Sequence, residues 1–416
     1  MKQNLSFTNS ARYPWMVVAL LWVVAMLNYF DRLMITSMHD PIVGDISMTE
    51  TQFGLLTAVF LWVYGILSPF GGYFADKYSR KWVIVSSVLV WSAVTTWTGF
   101  ANSFNEILVA RAFMGISEAC YIPAALALIT DYHKNESRSL AVGLHSSGLY
   151  AGMALGGLGG FIADAFGWRF GFHLFGVVGI VYAIILIFTL KDHNKKKSDT
   201  ILETQEIEKT DEKVSVLDSL KKIFGIPSFY LLLIYNSVIG MAFWLIYAWL
   251  PLFLQKSFNL SLGEAGISAT AYVQIASFIG VLLGGFISDR WGSMSKKGRI
   301  FTLVLGMSVG CPFLFILGFT QFFWLAVISM IVFGLARGFH DANLMPILCQ
   351  VIDKRYRGTG YGILNFFSTI IGGIMVYIGG MIMDAHISLS LVFQISAIAL
   401  LLGGWLLMLI KPAIKD

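Results

Sequence analysis

The sequence predicts an all-α integral membrane protein with twelve transmembrane helices in two six-helix bundles. Hydrophobic residues make up 57% of its 416 residues, charged residues only 13%, and the mean hydropathy is +0.73. A soluble domain carries about 25% charged residues. The apolar runs are continuous and about twenty residues long, which favours helices over the alternating strands of a β-barrel. A repeat between the two halves, described below, also supports this fold class.

Twelve apolar segments predict the membrane spans. They lie at 14–36, 51–74, 82–102, 106–130, 139–163, 170–190, 228–254, 265–288, 300–319, 322–350, 359–383 and 388–410. The predicted organisation is an N-terminal bundle over residues 1–190, a linker over 191–222 and a C-terminal bundle over 223–416. The linker holds 16 of the 53 charged residues, eight basic and eight acidic, and we expect it to tether the bundles.

The placement of lysine and arginine predicts the orientation in the membrane. One set of connections, which includes both chain ends and the linker, holds 24 of the 29 basic residues. The opposite set holds only Arg169 and Lys256. Because cytoplasmic loops carry such an excess of positive charge, we expect both termini and the linker to be cytoplasmic.

The two halves of the chain repeat the same motifs in the same order. The motif Gly72-x-x-x-Asp76 recurs 213 residues later and ends at Asp289. Three further motifs recur at offsets of 219, 220 and 223 residues, and one of them places Glu118 in register with Asp341. Recurrence at nearly one offset predicts two six-span halves related by an axis along the membrane normal.

The connection after the second span is similar to the signature loop of the major facilitator superfamily. It reads GYFADKYSRK from Gly72 to Lys81, and its second copy begins at Gly285. In that family the charged residues of this loop lock the cytoplasmic ends of neighbouring helices. The resemblance covers the whole chain and implies a conformational lock formed by Gly72, Asp76, Arg80, Asp289 and Arg290.

The spans also resemble the anion:cation symporter branch of that superfamily, which includes bacterial sugar-acid transporters, sialin and the vesicular glutamate transporters. The resemblance rests on the run NYFDR at 28–32, on Tyr64, and on Glu118 followed by Pro123. Spinster-type lipid transporters share the first run, but their proline lies farther on. The resemblance implies a bacterial inner-membrane protein. It also implies a substrate contact for Asn365, because an asparagine of the eleventh span contacts substrate in sugar-acid members.

Six ionisable side chains lie well inside the predicted spans, and we expect them to form the transport site. They are Asp31, Arg32, Arg111, Glu118, Arg337 and Asp341. Each full charge at mid-bilayer costs roughly 2.5–3.5 kcal/mol, so these groups must pair or face water. A helix rises about 1.5 Å per residue, which places Asp31 and Arg111 at similar depth and predicts an ion pair between them. The prediction leaves Arg32 without a protein partner, so we expect it to bind a ligand.

These placements predict a secondary transporter that alternates access around a midplane site. We expect it to take up a small organic anion with protons, for example a hexonate, a hexuronate or sialic acid. Arg32 is expected to bind the substrate carboxylate through a bidentate contact. Asp31, Glu118 and Asp341 are expected to carry the coupling protons. Further substrate contacts are expected from Tyr29, Tyr64, Tyr150, Arg337, His340 and Asn365.

Other functions stay open from the sequence. A sodium-coupled symporter and a Spinster-like exporter of lysolipid or another amphiphile are alternatives within the same class. A channel or a sensor is an alternative from another functional class. Lock motifs in both halves instead favour a protein whose two bundles rock against each other over one with a permanently open pore. Because the sequence shows no nucleophile–base pair and no metal-ligand spacing, we expect no enzyme activity, no cofactor and no metal. The expected partners are the small anion and the lipid bilayer, without nucleic acid, and we expect a monomer.

Overall fold

The computed structural model describes residues 12–133, 135–192 and 216–411, except for six side chains within helices. Those side chains belong to residues 76, 135, 136, 216, 217 and 218. Most of the predicted linker over 191–222 therefore lies outside the described residues, and the division into two bundles stays a prediction. Within the described ranges every regular element is a helix, which confirms the predicted all-α class.

The first half contains nine helices within the described residues. They are α1 (Tyr13–Met34), α2 (His39–Asp45), α3 (Glu50–Lys77), α4 (Arg80–Thr98), α5 (Phe104–Glu118), α6 (Tyr121–Tyr132), α7 (Asn135–Leu155), α8 (Leu158–Phe166) and α9 (Trp168–Thr189). The second half continues with α10 (Val216–Phe224), α11 (Pro227–Phe258), α12 (Leu262–Met294), α13 (Gly298–Leu317), α14 (Phe323–Val351), α15 (Arg357–Asp384) and α16 (Leu389–Leu406). Short 3₁₀ helices cover Ile35–Met38, Lys354–Tyr356 and Leu407–Leu409.

Eleven of the twelve predicted spans correspond to helical segments of membrane-spanning character. Ten described segments are long and apolar enough by themselves, and α7 with α8 forms an eleventh if the bent pair is one span. The remaining prediction, 82–102, corresponds to α4, which has 19 residues and includes three serines and three threonines. At about 1.5 Å per residue α4 is roughly 28 Å long, close to the thickness of a bilayer core.

Two of the predicted spans are interrupted near their middle. In the fourth span, α5 ends at Glu118 and α6 begins three residues beyond it, at Tyr121. In the fifth span, α7 and α8 meet at an angle of 41°. A Cβ on Gly157 at that bend would stand 2.2 Å from the carbonyl oxygen of Gly266 on α12. Glycine therefore allows the two halves to approach at backbone distance here.

The halves are joined on one face of the molecule, called the far face, where α3 and α12 begin and α8 and α15 end. Asp384 of α15 accepts hydrogen bonds from the backbone N–H groups of Glu50 (3.0 Å) and Thr51 (2.9 Å) and from the Thr51 hydroxyl (2.5 Å). Asp164 of α8 accepts a hydrogen bond from the backbone N–H of Gly263 at 3.1 Å. Each carboxylate thus ties a helix of one half to the start of a helix of the other.

A buried histidine adds a third connection on the far face. The two ring nitrogens of His39 lie 2.7 Å from carboxylate oxygens of Asp40 and Glu50. Asp40 also accepts a hydrogen bond from Gln255 at 2.9 Å, and the Lys256 amine lies 3.8 Å from Glu50. Because Gln255 and Lys256 belong to α11, this cluster joins the two halves.

The opposite face, called the linker face, holds the predicted lock residues, and the side-chain contacts described for Arg80 and Asp289 stay within one half. Arg80 forms an ion pair with Asp131 of α6. Asp289 lies 3.0 Å from Arg299 of α13. The side chain of Asp76 lies outside the described residues, and Arg290 is exposed. The role of these residues as a conformational lock stays a prediction.

Glycines on the far face show how closely the two halves approach each other there. On the far face a Cβ on Gly160 would stand 2.3 Å from the carbonyl oxygen of Leu262, and one on Gly380 would stand 2.3 Å from that of Glu50. On the linker face a Cβ on Gly72 would meet no atom within 4 Å. The same holds for Gly143, Gly285, Gly358 and Gly362, and also for Gly44 and Gly167 at the far face. The close crossings of the two halves named here, at Gly157, Gly160 and Gly380, lie toward the far face.

We predict that Asp384→Asn shifts the protein toward a state open on the far face. An amide has only one acceptor oxygen, so it cannot reproduce the three hydrogen bonds that the carboxylate accepts from α3. Losing one or two of them should raise the reactivity of a thiol at Ala58→Cys, a buried position on α3, about fivefold. The rate of maleimide labelling from the far face measures this change.

Asp353→Asn is the matched control for this experiment. Asp353 accepts hydrogen bonds from the backbone and side chain of Arg355 in its own connection on the linker face. Its variant should label like the wild type. Equal labelling rates for Asp384→Asn and the wild type would show that Asp384 does not hold the far face closed.

Candidate functional site

A buried ion pair joins α1 to α5 at the centre of the first half. The Arg32 Nε donates to Glu118 Oε2 at 2.5 Å, and the exposed fractions of the two side chains are 2% and 0%. Glu118 is the last residue of α5, so its carboxylate stands at the break before α6. The expectation that Arg32 is left without a protein partner is wrong.

Aromatic rings surround the Arg32 guanidinium. Its Cζ lies 4.4 Å from the ring centre of Tyr64, 4.5 Å from that of Tyr29 and 5.1 Å from that of Phe60. Such contacts stabilise a cation through the negative face of the ring. Within the described part of the chain, Arg32 Nη2 and Glu118 Oε1 are buried without a protein hydrogen-bond partner. The pair therefore retains one unused donor and one unused acceptor.

The predicted ion pair between Asp31 and Arg111 is not formed among the described residues. Arg111 donates to the backbone carbonyl of Leu56 at 3.3 Å, and Asp31 accepts a hydrogen bond from Thr95 at 3.4 Å. Equal depth in the membrane did not bring the two charges together because they point to different helices. Arg111 faces α3, which carries Leu56, whereas Asp31 faces α4, which carries Thr95.

Phe60 is a site residue that sequence reasoning missed. Its ring centre lies 5.1 Å from the Arg32 Cζ and 4.8 Å from the Arg111 Cζ, so it contacts both cations. Its ring is stacked on that of Tyr64 with centroids 6.0 Å apart. The four-residue spacing between Phe60 and Tyr64, which places them on one helix face, is the signal that could have revealed it.

A second cluster of charges lies on α14 in the other half. Arg337 donates from Nη1 to the side-chain oxygen of Gln274 at 2.8 Å, and its Nε lies 3.6 Å from Asp341. The rings of Phe243 and Tyr247 lie 5.0 Å from its Cζ. The contact of Arg337 with Asp341 follows from their i, i+4 spacing, which places both side chains on one face of α14.

Asp341 also receives a contact from the first half of the chain. The hydroxyl of Tyr150, on α7, donates to Asp341 Oδ2 at 2.7 Å. His340 Nε2 lies 3.9 Å from Asp341 Oδ1, and its Nδ1 is 3.1 Å from the hydroxyl of Tyr235. The Tyr150–Asp341 hydrogen bond therefore links the halves close to Arg337.

Of the predicted substrate residues, Tyr29 also lies near the second arginine, whereas the contacts described for the chain do not link Asn365 to either cluster. Tyr29 lies within electrostatic range of both Arg32 and Arg337, which places its hydroxyl near the two cations. Asn365 is half-buried on α15, next to Leu364, whose backbone carbonyl accepts a hydrogen bond from Asn236 at 2.8 Å. The structure thus groups most of the predicted residues around two arginines, one from each half.

Sequence comparisons relate this chain to membrane transporters. A family model described as Major Facilitator Superfamily matches residues 21–375 and 291–415. The probable galactarate/D-glucarate transporter GudP of Bacillus subtilis is 26% identical over 396 residues, which cover 89% of this chain and 86% of that protein. The probable sulfoacetate transporter SauU of Cupriavidus necator is 26% identical over 408 residues, which cover 95% and 94% of the two chains.

The fold is also similar to that of a solved transporter. The crystal structure of a bacterial homolog of the human lysosomal transporter Spinster, in an inward-facing and unoccupied conformation, superposes with a TM-score of 0.81. The two chains are 22% identical, and the match covers 96% of this chain and 97% of the other. At this identity the likeness shows the fold alone.

We predict that Glu118→Leu destabilises the protein by about 3–5 kcal/mol because it leaves the Arg32 charge buried without its partner. The double variant Arg32→Met, Glu118→Leu should recover most of this loss, since two apolar side chains then replace the whole pair. Thermal unfolding in detergent, followed by tryptophan fluorescence, measures both changes. Additive losses in the double variant would mean that the two side chains are not coupled.

An exposed pair of the same chemistry provides the control for this cycle. Arg355 and Asp353 lie 3.2 Å apart on the linker face, with about half of each side chain exposed. Asp353→Leu should change the free energy of unfolding by less than about 1 kcal/mol, because exposed pairs contribute little.

Proposed function

Because the chain belongs to the Major Facilitator Superfamily, we propose that it takes up a small organic anion together with protons, by alternating access around the Arg32–Glu118 pair. The observation that carries this proposal is the buried arginine, enclosed by three aromatic rings and neutralised by a group that can be protonated. The similar transporters GudP and SauU are named for small carboxylic acids, which supports an anionic substrate.

The pair provides a way to couple substrate and proton. Arginine binds a carboxylate with two parallel N–H donors, but Glu118 already occupies one side of the Arg32 guanidinium. A charged Glu118 cannot leave without a large cost, because an unpaired charge is then buried. Protonation makes Glu118 neutral and lowers this cost. Arg32 then becomes available to the substrate carboxylate.

The proposed orientation in the membrane rests on the distribution of basic residues. We take the linker face as cytoplasmic, because its connections hold 24 of the 29 lysines and arginines. A proton and an anion then enter from the far face and leave through the linker face. After release, deprotonated Glu118 returns to Arg32, which is the arrangement found in the described chain. Asp31 has no cation within ion-pair distance among the described residues, and this cycle does not use it, so its role in proton coupling stays a prediction.

A proton is favoured over sodium as the coupling ion at this pair. Glu118 Oε2 lies 2.5 Å from a guanidinium nitrogen, and a metal cation at the same oxygen would be repelled by that positive charge. Protonation removes the negative charge and needs no additional oxygen ligands. The site chemistry therefore supports proton symport, and a sodium-coupled cycle would need a different carboxylate.

We predict that Glu118→Gln retains exchange of substrate across the membrane but loses accumulation driven by a pH gradient. Glutamine imitates the protonated acid and leaves Arg32 available, yet it cannot bind or release a proton. Labelled D-glucarate in proteoliposomes serves as the probe, first with substrate on both sides and then with only a pH gradient. Accumulation should fall at least about tenfold, while exchange stays within about threefold of the wild type.

Glu106→Gln is the matched control for that variant. Glu106 is also on α5, but it is exposed in the first turn at the far face. Its variant should accumulate substrate like the wild type. Full gradient-driven accumulation by Glu118→Gln would exclude Glu118 as the proton carrier.

We predict that Arg32→Lys weakens substrate binding about tenfold or more, because an ammonium group cannot form the bidentate contact with a carboxylate. Lysine retains the positive charge and can still pair with Glu118, so the protein should fold. Calorimetric titration with D-glucarate measures the affinity. Arg169→Lys, which changes an arginine paired with Asp45 on the far face, should bind like the wild type. Wild-type affinity in Arg32→Lys would contradict the proposed role.

A further inference from the structure

The two halves each place an acidic residue beside an arginine, but they obtain the arginine in different ways. The offset of 223 residues that relates Glu118 to Asp341 also relates Met114 to Arg337. In the first half the cation comes from another helix, as Arg32 of α1. In the second half it comes from α14 itself, at the position that methionine holds in the first copy. Arg337 is therefore a cation that the repeat does not explain.

Arg337 is held much less firmly than Arg32. Its Nε is 3.6 Å from Asp341 and has no protein hydrogen-bond partner among the described residues, whereas Arg32 is 2.5 Å from Glu118. Its Nη1 donates to the neutral side chain of Gln274. Three rings lie within 6 Å of its Cζ, those of Tyr150, Phe243 and Tyr247. A buried cation with aromatic walls and an unused donor suits a second anionic group.

We infer that the transported substrate is a dianion, with one anionic group on Arg32 and the other on Arg337, and that two protons accompany it on Glu118 and Asp341. This inference rests on the proposed function and specifies the substrate class and proton number of the same site. Tyr29, which lies within electrostatic range of both arginines, borders the space that such a substrate occupies.

Charge balance sets the number of protons. The spans contain three arginines and three carboxylates within the described residues at this depth, so the site is neutral when all are ionised. A dianion alone would leave two uncompensated negative charges in a medium of low dielectric constant. Two protons restore neutrality. One protonates each carboxylate whose contact with an arginine is replaced by an anionic group of the substrate. Transport is then electroneutral.

Asp341 is the second proton site because the substrate competes for its cation. The charged and titratable groups that face it are Arg337 and His340 on α14, Tyr150 on α7, Tyr235 on α11 and Tyr361 on α15. Arg337 is the permanent cation of this set. When an anionic group of the substrate binds Arg337, a charged Asp341 repels it, and protonation removes the repulsion.

The test compares two six-carbon sugar acids that differ in one terminal group. D-Glucarate has a carboxylate at each end, and D-gluconate has a carboxylate at one end only. In proteoliposomes of the wild-type protein, we expect tighter binding of glucarate by about tenfold or more. A pH dye inside the vesicles should record two protons per glucarate and one per gluconate. Glucarate uptake should not change when a potassium gradient with valinomycin imposes a membrane potential.

The double variant Arg337→Met, Asp341→Asn removes the second subsite while the site stays neutral, and Met114 shows that the repeat accepts methionine there. It should lower the preference for glucarate to less than about threefold. Arg337→Lys provides a second variant in case the double variant does not fold, and it should give an intermediate preference. The control is Arg355→Met, Asp353→Asn, which removes an exposed pair of the same type on the linker face and should keep the wild-type preference.

The outcomes separate this inference from the proposed function. Equal affinity for the two acids, one proton per glucarate, or glucarate uptake that responds to the imposed potential would overturn the dianion site. Proton-driven uptake of gluconate in the same vesicles would then still support the proposed function. If neither acid binds and neither moves with protons, the proposed function itself is rejected.

Discussion

The pairing of Arg32 with Glu118 is the interaction on which the centre of the molecule depends. Both side chains are fully withdrawn from solvent, and an unpaired charge at this depth costs several kcal/mol. The surrounding helices and side chains position and enclose this pair. The end of α5 at Glu118 places the carboxylate beside α1, and the rings of Tyr29, Phe60 and Tyr64 enclose the guanidinium. In the proposed cycle, substrate recognition therefore begins from a site that is neutral and occupied by its own carboxylate.

The three buried arginines are neutralised to different degrees. Arg32 has a carboxylate at 2.5 Å, and Arg337 has an amide oxygen at 2.8 Å with its carboxylate at 3.6 Å. Arg111 has only a backbone carbonyl, a sulfur atom and a ring as described contacts. The cost of exposing each cation to a ligand differs accordingly. Arg337 is more accessible to an anion than Arg32, whose release requires protonation of its partner.

The sequence predicted the fold class, because it follows from the long apolar runs and from the repeat. The four-residue spacing of Arg337 and Asp341 is that of two side chains on one helix face. The sequence did not predict the partner of Arg32. Residue number gives depth along a helix, but not the direction in which a side chain points toward its neighbours. Asp31 and Arg111 therefore lie at similar depth yet face α4 and α3. The position of Glu118 also depends on the break between α5 and α6, where Pro123 lacks the N–H that would bond the carbonyl of residue 119.

The contact between Tyr150 and Asp341 connects the site to the closure of the far face. Tyr150 belongs to α7, which continues through Gly157 into the close crossing with Gly266 of α12. A hydroxyl donates a stronger hydrogen bond to a charged carboxylate than to a neutral acid. Protonation of Asp341, as proposed for substrate binding, would therefore weaken one bond between the halves. In that proposal the proton that admits the second anionic group would also lower the barrier to rocking, and one carboxylate would link substrate binding to movement.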